Sequence, residues 1–242
     1  VAACADGYMY CFDSDPARDL DGDGNPDDGS RNPDLAGVDI IWRVAIPGKV
    51  CSSVTLVPAI DGFGYAVVML ADGRVMGVRV LPRTGFGAYI SKNNNPETIT
   101  RSVTKFGEFP KALYKRQAAW MPYDPEMYRI PAPVYWGGRL FVVGVRKETD
   151  NIQQLGLGAV SELSTSPNPS QFLQQRWMFP DETVDITAIP ANQTKLGIPS
   201  ATPTVATIRD KGYSGATDVL LLVPTLAIRE GMDNLPLKQE SR

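Results

Sequence analysis

Short apolar and alternating runs follow one another along the whole chain, separated by Gly, Asp, Asn and Pro, and helical periodicity is almost absent. Runs of this length between turn residues predict many short β-strands. Two of the turns are Asp-Gly pairs, which predict hairpins of type I′ because both central residues of that turn need φ > 0. These pairs are Asp6-Gly7, between 1–4 and 8–13, and Asp72-Gly73, between 65–70 and 74–80.

The predicted strands recur as a repeat of about four strands, with variable insertions between the copies. In each copy a Trp-bearing strand precedes a Pro- and Ser-rich approach segment, an apolar strand, a glycine turn and a further strand. The Trp strands are 40–44, 117–121 and 175–179, the approach segments are 51–58, 130–135 and 198–206, and the apolar strands are 65–70, 140–145 and 219–223.

An antiparallel unit of four strands that repeats in this way is typical of a β-propeller blade. Each unit is too small to bury its own faces, so neighbouring units must stack to form a core. We therefore predict an all-β chain that forms a β-propeller, with about four partial or complete four-stranded antiparallel blades, as part of a larger propeller. The blades would lie near 1–45, 51–121, 131–180 and 198–229, and the first and last would be incomplete. The alternative is a β-sandwich with tryptophans in its core.

The predicted propeller region spans the whole chain, 1–242. Within it we assign two insertions, at 14–39 and 81–116, and a polar C-terminal tail at 230–242. The chain begins at Val1 without Met, inside a predicted strand. We therefore expect an internal piece of a longer protein rather than a chain that has lost a signal peptide.

The composition is ordinary for a soluble globular protein, with 43% hydrophobic and 21% charged residues. The net charge of −3 leaves no global basic footprint, which argues against nucleic acid as the main partner. No apolar run approaches the roughly 18 residues that a membrane-spanning helix needs, so the chain is not expected to span a membrane.

The chain contains no histidine. This excludes His-based general acid–base catalysis, Ser-His-Asp and Cys-His nucleophiles, and His-ligated zinc or haem. The three cysteines, Cys4, Cys11 and Cys51, form neither a disulfide framework nor a CxxC metal motif. They are interpreted as small buried hydrophobic residues, or as one disulfide pair with one thiol left over.

Residues 19–28 read DLDGDGNPDD, which is the pattern of a calcium-binding loop. Ca²⁺ prefers about six to eight oxygen ligands, and alternate carboxylates in a tightly turning loop can converge on one ion. Asp19, Asp21 and Asp23 occupy positions 1, 3 and 5 of the loop, Asn25 offers its backbone carbonyl at position 7, and Asp27 closes the site at position 9. Without a cation these carboxylates would repel one another.

The loop differs from an EF-hand because Ser30 stands at position 12, where an EF-hand has a bidentate Glu, and because no convincing helices flank it. We therefore predict a structural Ca²⁺ site of modest affinity, which rigidifies the insertion at 14–39 without doing chemistry. Such a site is filled outside cells and empty in the cytosol. The alternative is a solvated acidic loop.

Several segments resemble known repeat families. ADGYMYCFD (5–13) followed by IIWRV (40–44) resembles the PQQ-like repeat, whereas 52–78 and 201–224 resemble FG-GAP or VCBS-type repeats. The loop at 19–27 is similar to the DxDxDGxxD calcium loop of integrin-type and EF-hand-like sites. These repeat families form β-propellers. Four positions depart from the FG-GAP pattern of Asp and Gly, so the resemblance does not imply calcium at those turns; they are Phe63, Ala66, Lys211 and Ser214.

The leading functional hypothesis is a non-enzymatic, calcium-binding β-propeller module for adhesion, binding or structural assembly. It would work in the extracellular space, on the cell surface or in the periplasm, with protein partners or neighbouring subunits and with polysaccharide as a further candidate. A tip adhesin of a type IV pilus is one protein that such a module resembles.

Two alternatives follow from the PQQ-like resemblance. The first is a fragment of a PQQ-dependent quinoprotein oxidoreductase, a class that holds its quinone with Ca²⁺ near the propeller axis, commonly beside adjacent cysteines. No two cysteines of this chain are adjacent. The second is an envelope-assembly scaffold similar to BamB-type lipoproteins.

Two further segments carry candidate chemistry, and a third is a polar loop without a motif. The insertion at 81–116 is rich in Lys and Arg, including Arg101 and Lys105, and is interpreted either as a basic contact patch for an acidic partner or as a solvated loop. Asp124 and Glu126 form a close acidic pair that suits surface charge better than glycosidase chemistry. Residues 161–171 are predicted to be a polar loop.

Overall fold

The computed structural model describes residues 1–4, 6–12, 40–49, 52–58, 64–80, 96–107, 131–146, 158–181, 183, 198–199, 201–209 and 217–226. Within these ranges every regular element is a β-strand and every strand pair is antiparallel, which confirms the predicted all-β class. The strands are β1 (Ala2–Ala3), β2 (Tyr8–Phe12), β3 (Ile40–Ala45), β4 (Thr55–Pro58), β5 (Gly64–Met69), β6 (Arg74–Val80), β7 (Thr98–Ser102), β8 (Phe106–Gly107), β9 (Val134–Trp136), β10 (Arg139–Arg146), β11 (Gly158–Leu163), β12 (Gln175–Phe179), β13 (Ile198–Pro199), β14 (Thr204–Arg209), β15 (Thr217–Leu222) and β16 (Thr225–Leu226).

The strands pair mainly with their neighbours in the sequence. Sheet I has the order β1-β2-β3, and sheet II has the order β4-β5-β6-β7. Sheet III contains the meander β9-β10-β11-β12, and β8 pairs with the end of β10 that β9 does not reach. Sheet IV is the hairpin β14-β15, and β13 pairs with β16. Sheets II and III each therefore contain a four-stranded meander, as the repeat predicted.

The Asp-Gly hairpins form as predicted, but their turn type differs from the prediction. Gly7 and Gly73 have φ of +88° and +85°, whereas Asp6 and Asp72 do not have positive φ, so type I′ is wrong. In the second hairpin the Gly73 N–H donates to the Leu70 carbonyl at 3.0 Å and the Leu70 N–H donates to the Arg74 carbonyl at 2.8 Å. These are three-residue loops that end in a left-handed glycine.

Sheet II lies between sheets I and III. Side chains alternate between the two faces of a strand, and in β5 both faces are apolar and buried. Val67 and Met69 belong to a core cluster that includes Leu140 of sheet III. Val68 belongs to a second cluster, which includes Trp42 of sheet I. The first three sheets therefore stack face to face in chain order.

The first strands of successive sheets adjoin along one side of this stack. β4 contacts β9, and β9 contacts β14. The Thr55 hydroxyl donates to the Pro133 carbonyl at 2.5 Å, and the Ala132 N–H donates to the Thr202 hydroxyl at 3.0 Å. The approach segments thus link sheet II to sheet III and sheet III to sheet IV, although the propeller itself remains a prediction.

The loop between β11 and β12 reaches back onto sheet II. The Phe172 ring stacks on Tyr65 with 3.7 Å between centroids. A Cβ atom on Gly77 would lie 2.7 Å from Phe172 Cε1, so the glycine lets this ring lie flat on β6. Arg101 holds the same loop, donating from Nε to the Phe172 carbonyl and from Nη2 to the Ser170 carbonyl, both at 2.7 Å.

Three strands lie where the sequence predicted an insertion or a loop, since β8 as well as β7 lies inside 81–116. The fourth strand of sheet II is β7, inside 81–116, whereas the predicted Trp120 strand lies outside the described residues. β11 includes Ser161 and Glu162, which were predicted to begin a polar loop. Both are buried and bonded to partners on neighbouring strands, so their polarity conceals a core strand from hydrophobic-pattern analysis.

Candidate functional site

The predicted calcium ligands Asp19, Asp21, Asp23, Asn25 and Asp27 lie outside the described residues, as does the rest of the insertion at 14–39. Calcium binding at this loop therefore remains a prediction. In the ranges that the structure describes, no group of three or more His, Cys, Asp or Glu side chains could hold a metal ion. The acidic pair at 124 and 126 also lies outside those ranges.

The cysteines are described only in sheet I and its first hairpin. Cys4 is half-buried and carries a free thiol, and burial followed by the nearby Asp6 carboxylate raises the pKa of that thiol. A raised pKa leaves little thiolate at neutral pH, so Cys4 is a poor nucleophile. Cys51 lies outside the described residues.

Of the named basic residues in 81–116, the structure describes Arg101 and Lys105. Arg101 donates to three carbonyls of the β11–β12 loop, which include that of Pro169 at 3.1 Å. Its guanidinium therefore holds sheets II and III together and is not part of an open contact patch.

Candidate binding chemistry lies on the face of sheet III that points away from sheet II. Trp136 pairs with Arg139 across the β9–β10 turn, and Glu162 pairs with Trp177 on the other side of the sheet. Directly paired residues share one face of an antiparallel sheet. We call these four residues together with Arg176 the Trp–Arg cluster.

The hairpin that positions Trp136 and Arg139 has a two-residue loop. Gly137 and Gly138 have φ of +54° and +80°, which a type I′ turn requires at both central positions. Side chains at these two positions would strain the backbone. The glycine pair therefore sets Trp136 and Arg139 opposite each other at the end of the sheet.

Glu162 is the centre of the cluster, with only 4% of its side chain exposed. Arg139 donates to Glu162 Oε2 from Nε at 3.1 Å and from Nη2 at 2.5 Å. The Trp177 indole N–H donates to the same oxygen at 2.5 Å. Arg176 Nη1 lies 3.5 Å from Glu162 Oε1. One buried carboxylate thus fixes the Arg139 guanidinium and the Trp177 indole, and the Arg176 guanidinium lies close to it.

A β-bulge brings Arg176 to this carboxylate. Leu163 pairs with Gln175 and Glu162 pairs with Trp177, so Arg176 is an extra residue in β12 with no opposite partner in the ladder. A bulge re-aims the side chains of a strand. Here it lets consecutive residues of β12 both reach Glu162.

The cluster is open to solvent at its outer surface. Trp136 and Trp177 are 37% and 38% exposed, and the side chains of Arg139 and Arg176 are 45% and 51% exposed. Phe141 lies beneath them: the Arg139 guanidinium is 5.2 Å from the centre of its ring, and the Trp177 ring is 6.2 Å away.

The electrostatics of the cluster favour an ionised Glu162. Burial raises the pKa of this carboxyl, but hydrogen bonds from Arg139 and Trp177 and the charges of both arginines outweigh burial and leave its pKa below the ordinary value. The hydrogen bond to Glu162 raises the pKa of Arg139 in turn. Among the described residues two cations therefore surround one anion, which leaves the cluster itself with a positive net charge.

None of the cluster residues was predicted as a site residue, although Arg176 and Trp177 lie in the predicted strand at 175–179. Two signals were present in the sequence. The Trp-Gly-Gly-Arg segment at 136–139 sets an aromatic residue and a cation at the two ends of a tight turn, and Glu162 interrupts the apolar run of β11. A carboxylate inside a core strand requires a buried partner.

Sheet I carries a second aromatic surface, on the face opposite Trp42. Tyr8, Tyr10 and Phe12 alternate along β2, with ring centroids 6.2 and 5.8 Å apart. The Arg43 guanidinium lies 5.2 Å from the Tyr8 ring centre. Phe12 is 47% exposed, so this face is only partly covered.

Comparison with protein-family models finds no match to this chain, and comparison with curated proteins finds none. The resemblance to propeller repeats therefore rests on the segments at 5–13, 40–44, 52–78 and 201–224. Among the described residues, no helix is long and apolar enough to cross a membrane.

Proposed function

We propose that the chain is a non-enzymatic β-propeller module that serves adhesion, binding or structural assembly outside the cytosol, in the extracellular space, on the cell surface or in the periplasm. The observation that carries the proposal is the serial stacking of sheets I, II and III, with the first strands β4, β9 and β14 adjoining along one side. Blades arranged around an axis need both features.

The burial of sheet II supports a stacked repeat over a two-layer sandwich. A two-layer sandwich buries one face of each sheet, whereas β5 and β6 are apolar on both faces and are covered by a sheet on each side. Such a sheet is stable only between two neighbours. This burial supports a stacked scaffold, in which function would reside on exposed edges and faces.

The Trp–Arg cluster supports binding rather than catalysis. A general acid or base works best with a pKa near the operating pH. Glu162 instead has a lowered pKa, and its oxygens face Arg139, Trp177 and Arg176. Such a carboxylate fixes other side chains in place and transfers no proton at neutral pH.

Calcium belongs to the same proposal through the loop at 19–27. Asp19, Asp21, Asp23, Asn25 and Asp27 have the spacing of a Ca²⁺ loop. In a protein exposed to millimolar Ca²⁺, the ion would fix an insertion between β2 and β3 in place. The role of the ion would be structural, and such a site fits a protein that functions outside the cytosol.

A direct test separates a binding module from a quinoprotein. The full chain is incubated with Ca²⁺ and free PQQ, passed through a desalting column and scanned for quinone absorbance, and dye-linked alcohol oxidation is assayed in parallel. We expect no stoichiometric quinone and no dye reduction. Retained quinone together with turnover would overturn the proposal in favour of an oxidoreductase fragment.

A second measurement addresses binding itself. Beads coated with the full chain are allowed to settle on surfaces that carry polysaccharides or matrix proteins, with Ca²⁺ present, and are then exposed to flow. We expect chain-coated beads to be retained on at least one class of surface above albumin-coated beads. Equal detachment from every surface would contradict an adhesive role.

A further inference from the structure

We propose that the Trp–Arg cluster binds an acidic polysaccharide whose units are uronic acids, with Arg139 and Arg176 contacting a carboxylate and the two indoles contacting sugar rings. The inference deepens the proposed function and rests on it, since it names the ligand class of a binding module. The cluster was not among the residues that the sequence singled out as a site.

The charge of the surface suits a carboxylate ligand. Among the residues that the structure describes, Arg139 and Arg176 share one anionic partner, Glu162, which is buried beneath them. Among the described residues Arg139 commits Nε and Nη2 to Glu162, and Arg176 approaches it with Nη1 alone. Further guanidinium N–H donors therefore remain for a second carboxylate, which would complete the charge balance in the bidentate geometry that Arg favours.

The surface is also held in place before a ligand arrives. The Trp177 indole is fixed by its N–H bond to Glu162, and the Arg139 guanidinium is fixed by two bonds to that carboxylate and by the Phe141 ring below it. Binding to fixed side chains costs less conformational entropy than binding to mobile ones. A shallow surface of this kind can therefore bind a flexible polymer.

The aromatic groups favour a sugar chain over an acidic peptide. A pyranose ring presents a flat face of C–H groups, which packs on an exposed indole, while its hydroxyl and carboxylate groups point sideways to polar partners. Trp136 lies on β9 and Trp177 on β12, at opposite edges of the meander. Three strand spacings separate them, roughly 14 Å, so the surface suits several linked rings.

The experiment measures binding of a defined oligogalacturonate to the full chain by calorimetry, with the intrinsic Trp fluorescence recorded in parallel. Three comparison ligands are used: the fully methyl-esterified oligosaccharide, which lacks the negative charge, a neutral glucose oligosaccharide, and poly-glutamate of similar charge. Arg176→Gln removes one cation at an exposed position. Arg43→Gln removes a guanidinium on sheet I and is the matched control for a change in net charge.

We expect the acidic oligosaccharide to bind and its methyl ester to bind at least about tenfold more weakly, because charged hydrogen bonds are lost. R176Q should weaken binding about tenfold, and R43Q should leave it unchanged. Trp177→Phe should weaken binding while its circular dichroism spectrum stays that of the wild type.

Three results would overturn the inference: no binding of the acidic oligosaccharide, equal binding of poly-glutamate, or equal weakening by R176Q and R43Q. Either of the first two results would show that the ligand is not an acidic polysaccharide, and the chain would then be a binding module with another partner. The third result would show that the weakening follows from the change in net charge alone. None of them affects the quinone test, so failure of this inference is distinguishable from failure of the proposed function.

Discussion

Trp42 and Trp177 occupy the same position in two different sheets, each directly after the extra residue of a β-bulge in the last strand. Trp42 pairs with Cys11 while Phe12 pairs with Ile40, and Trp177 pairs with Glu162 while Leu163 pairs with Gln175. Bulges are specific features of a strand that re-aim its side chains. Sheets I and III therefore share the pairing of individual residues around their tryptophans.

The environments of these two tryptophans differ. Trp42 is 1% exposed, in the core between sheets I and II. Trp177 lies on the corresponding face of sheet III, which points away from sheet II, and is 38% exposed. The same repeat position is thus a core residue in one sheet and a surface residue with a polar partner, Glu162, in the other.

The first prediction follows from this difference. Trp42→Ala should lower the free energy of unfolding by about 3–5 kcal/mol, because it leaves a large cavity in a closed core. Trp177→Ala should cost less, about 1–2 kcal/mol, because it removes a half-exposed ring and one hydrogen bond. Urea denaturation followed by far-ultraviolet circular dichroism measures both. Equal losses in the free energy of unfolding would contradict the assignment of Trp42 to the core and Trp177 to the surface.

A second prediction concerns the contact between Gly77 and Phe172. Gly77→Ala should destabilise the chain by about 1–3 kcal/mol, because the new methyl group would overlap the Phe172 ring. The double variant Gly77→Ala with Phe172→Leu should cost less than the sum of the two single variants, since the smaller side chain relieves the overlap. Additive losses in a double-mutant cycle would show that the ring does not lie on β6.

The sequence predicted the all-β class and the positions of the Asp-Gly hairpins, because apolar alternation and Asp-Gly turns are local signals. It did not predict the turn type, because an Asp-Gly pair also fits a three-residue loop in which Gly7 alone needs positive φ. β11 was missed because Ser161 and Glu162 are polar yet buried. Their partners, the Trp177 carbonyl and the Arg139 and Trp177 side chains, lie on other strands, where a local pattern cannot reveal them.

The candidate site could not be predicted from the sequence for the same reason. Arg139, Glu162 and Trp177 come from three strands, and only the sheet register brings them together. Arg101 illustrates the converse: it looked like a surface cation, but tertiary contacts direct it to the carbonyls of a loop about 70 residues away. The calcium loop at 19–27 has a local signal, and its geometry lies outside the described residues.

A third prediction concerns calcium. Asp21→Asn with Asp23→Asn should abolish high-occupancy Ca²⁺ binding by removing two carboxylates from the loop. In the wild-type chain, EDTA should accelerate limited proteolysis within 14–39, and the double variant should be cleaved at that fast rate with or without Ca²⁺. Mass spectrometry of the fragments locates the cuts. An unchanged rate of cleavage of the wild type after EDTA would contradict the hypothesis that calcium orders the insertion.

The last prediction is a pH dependence set by Glu162, whose pKa is lower in the folded chain than its ordinary value. A lowered folded pKa means that its stabilising contribution is fully present above the pKa of the unfolded chain. The contribution is lost as the pH falls through the folded pKa. Glu162→Gln should therefore lower the thermal midpoint at neutral pH, and the gap to the wild type should narrow as the pH falls into the acidic range.

The size of this effect and its control follow from the contacts. Removing the charge of a buried group that two arginines and an indole surround should cost about 1–3 kcal/mol at neutral pH. Glu97→Gln is the matched control, because Glu97 forms an exposed pair with Arg79 at 3.1 Å, and exposed pairs contribute only about 0–1 kcal/mol. Calorimetry at acidic and neutral pH measures the thermal midpoints of the wild type, E162Q and E97Q. A difference in thermal midpoint between wild type and E162Q that stays constant with pH would mean that protonation of Glu162 does not cause the pH dependence.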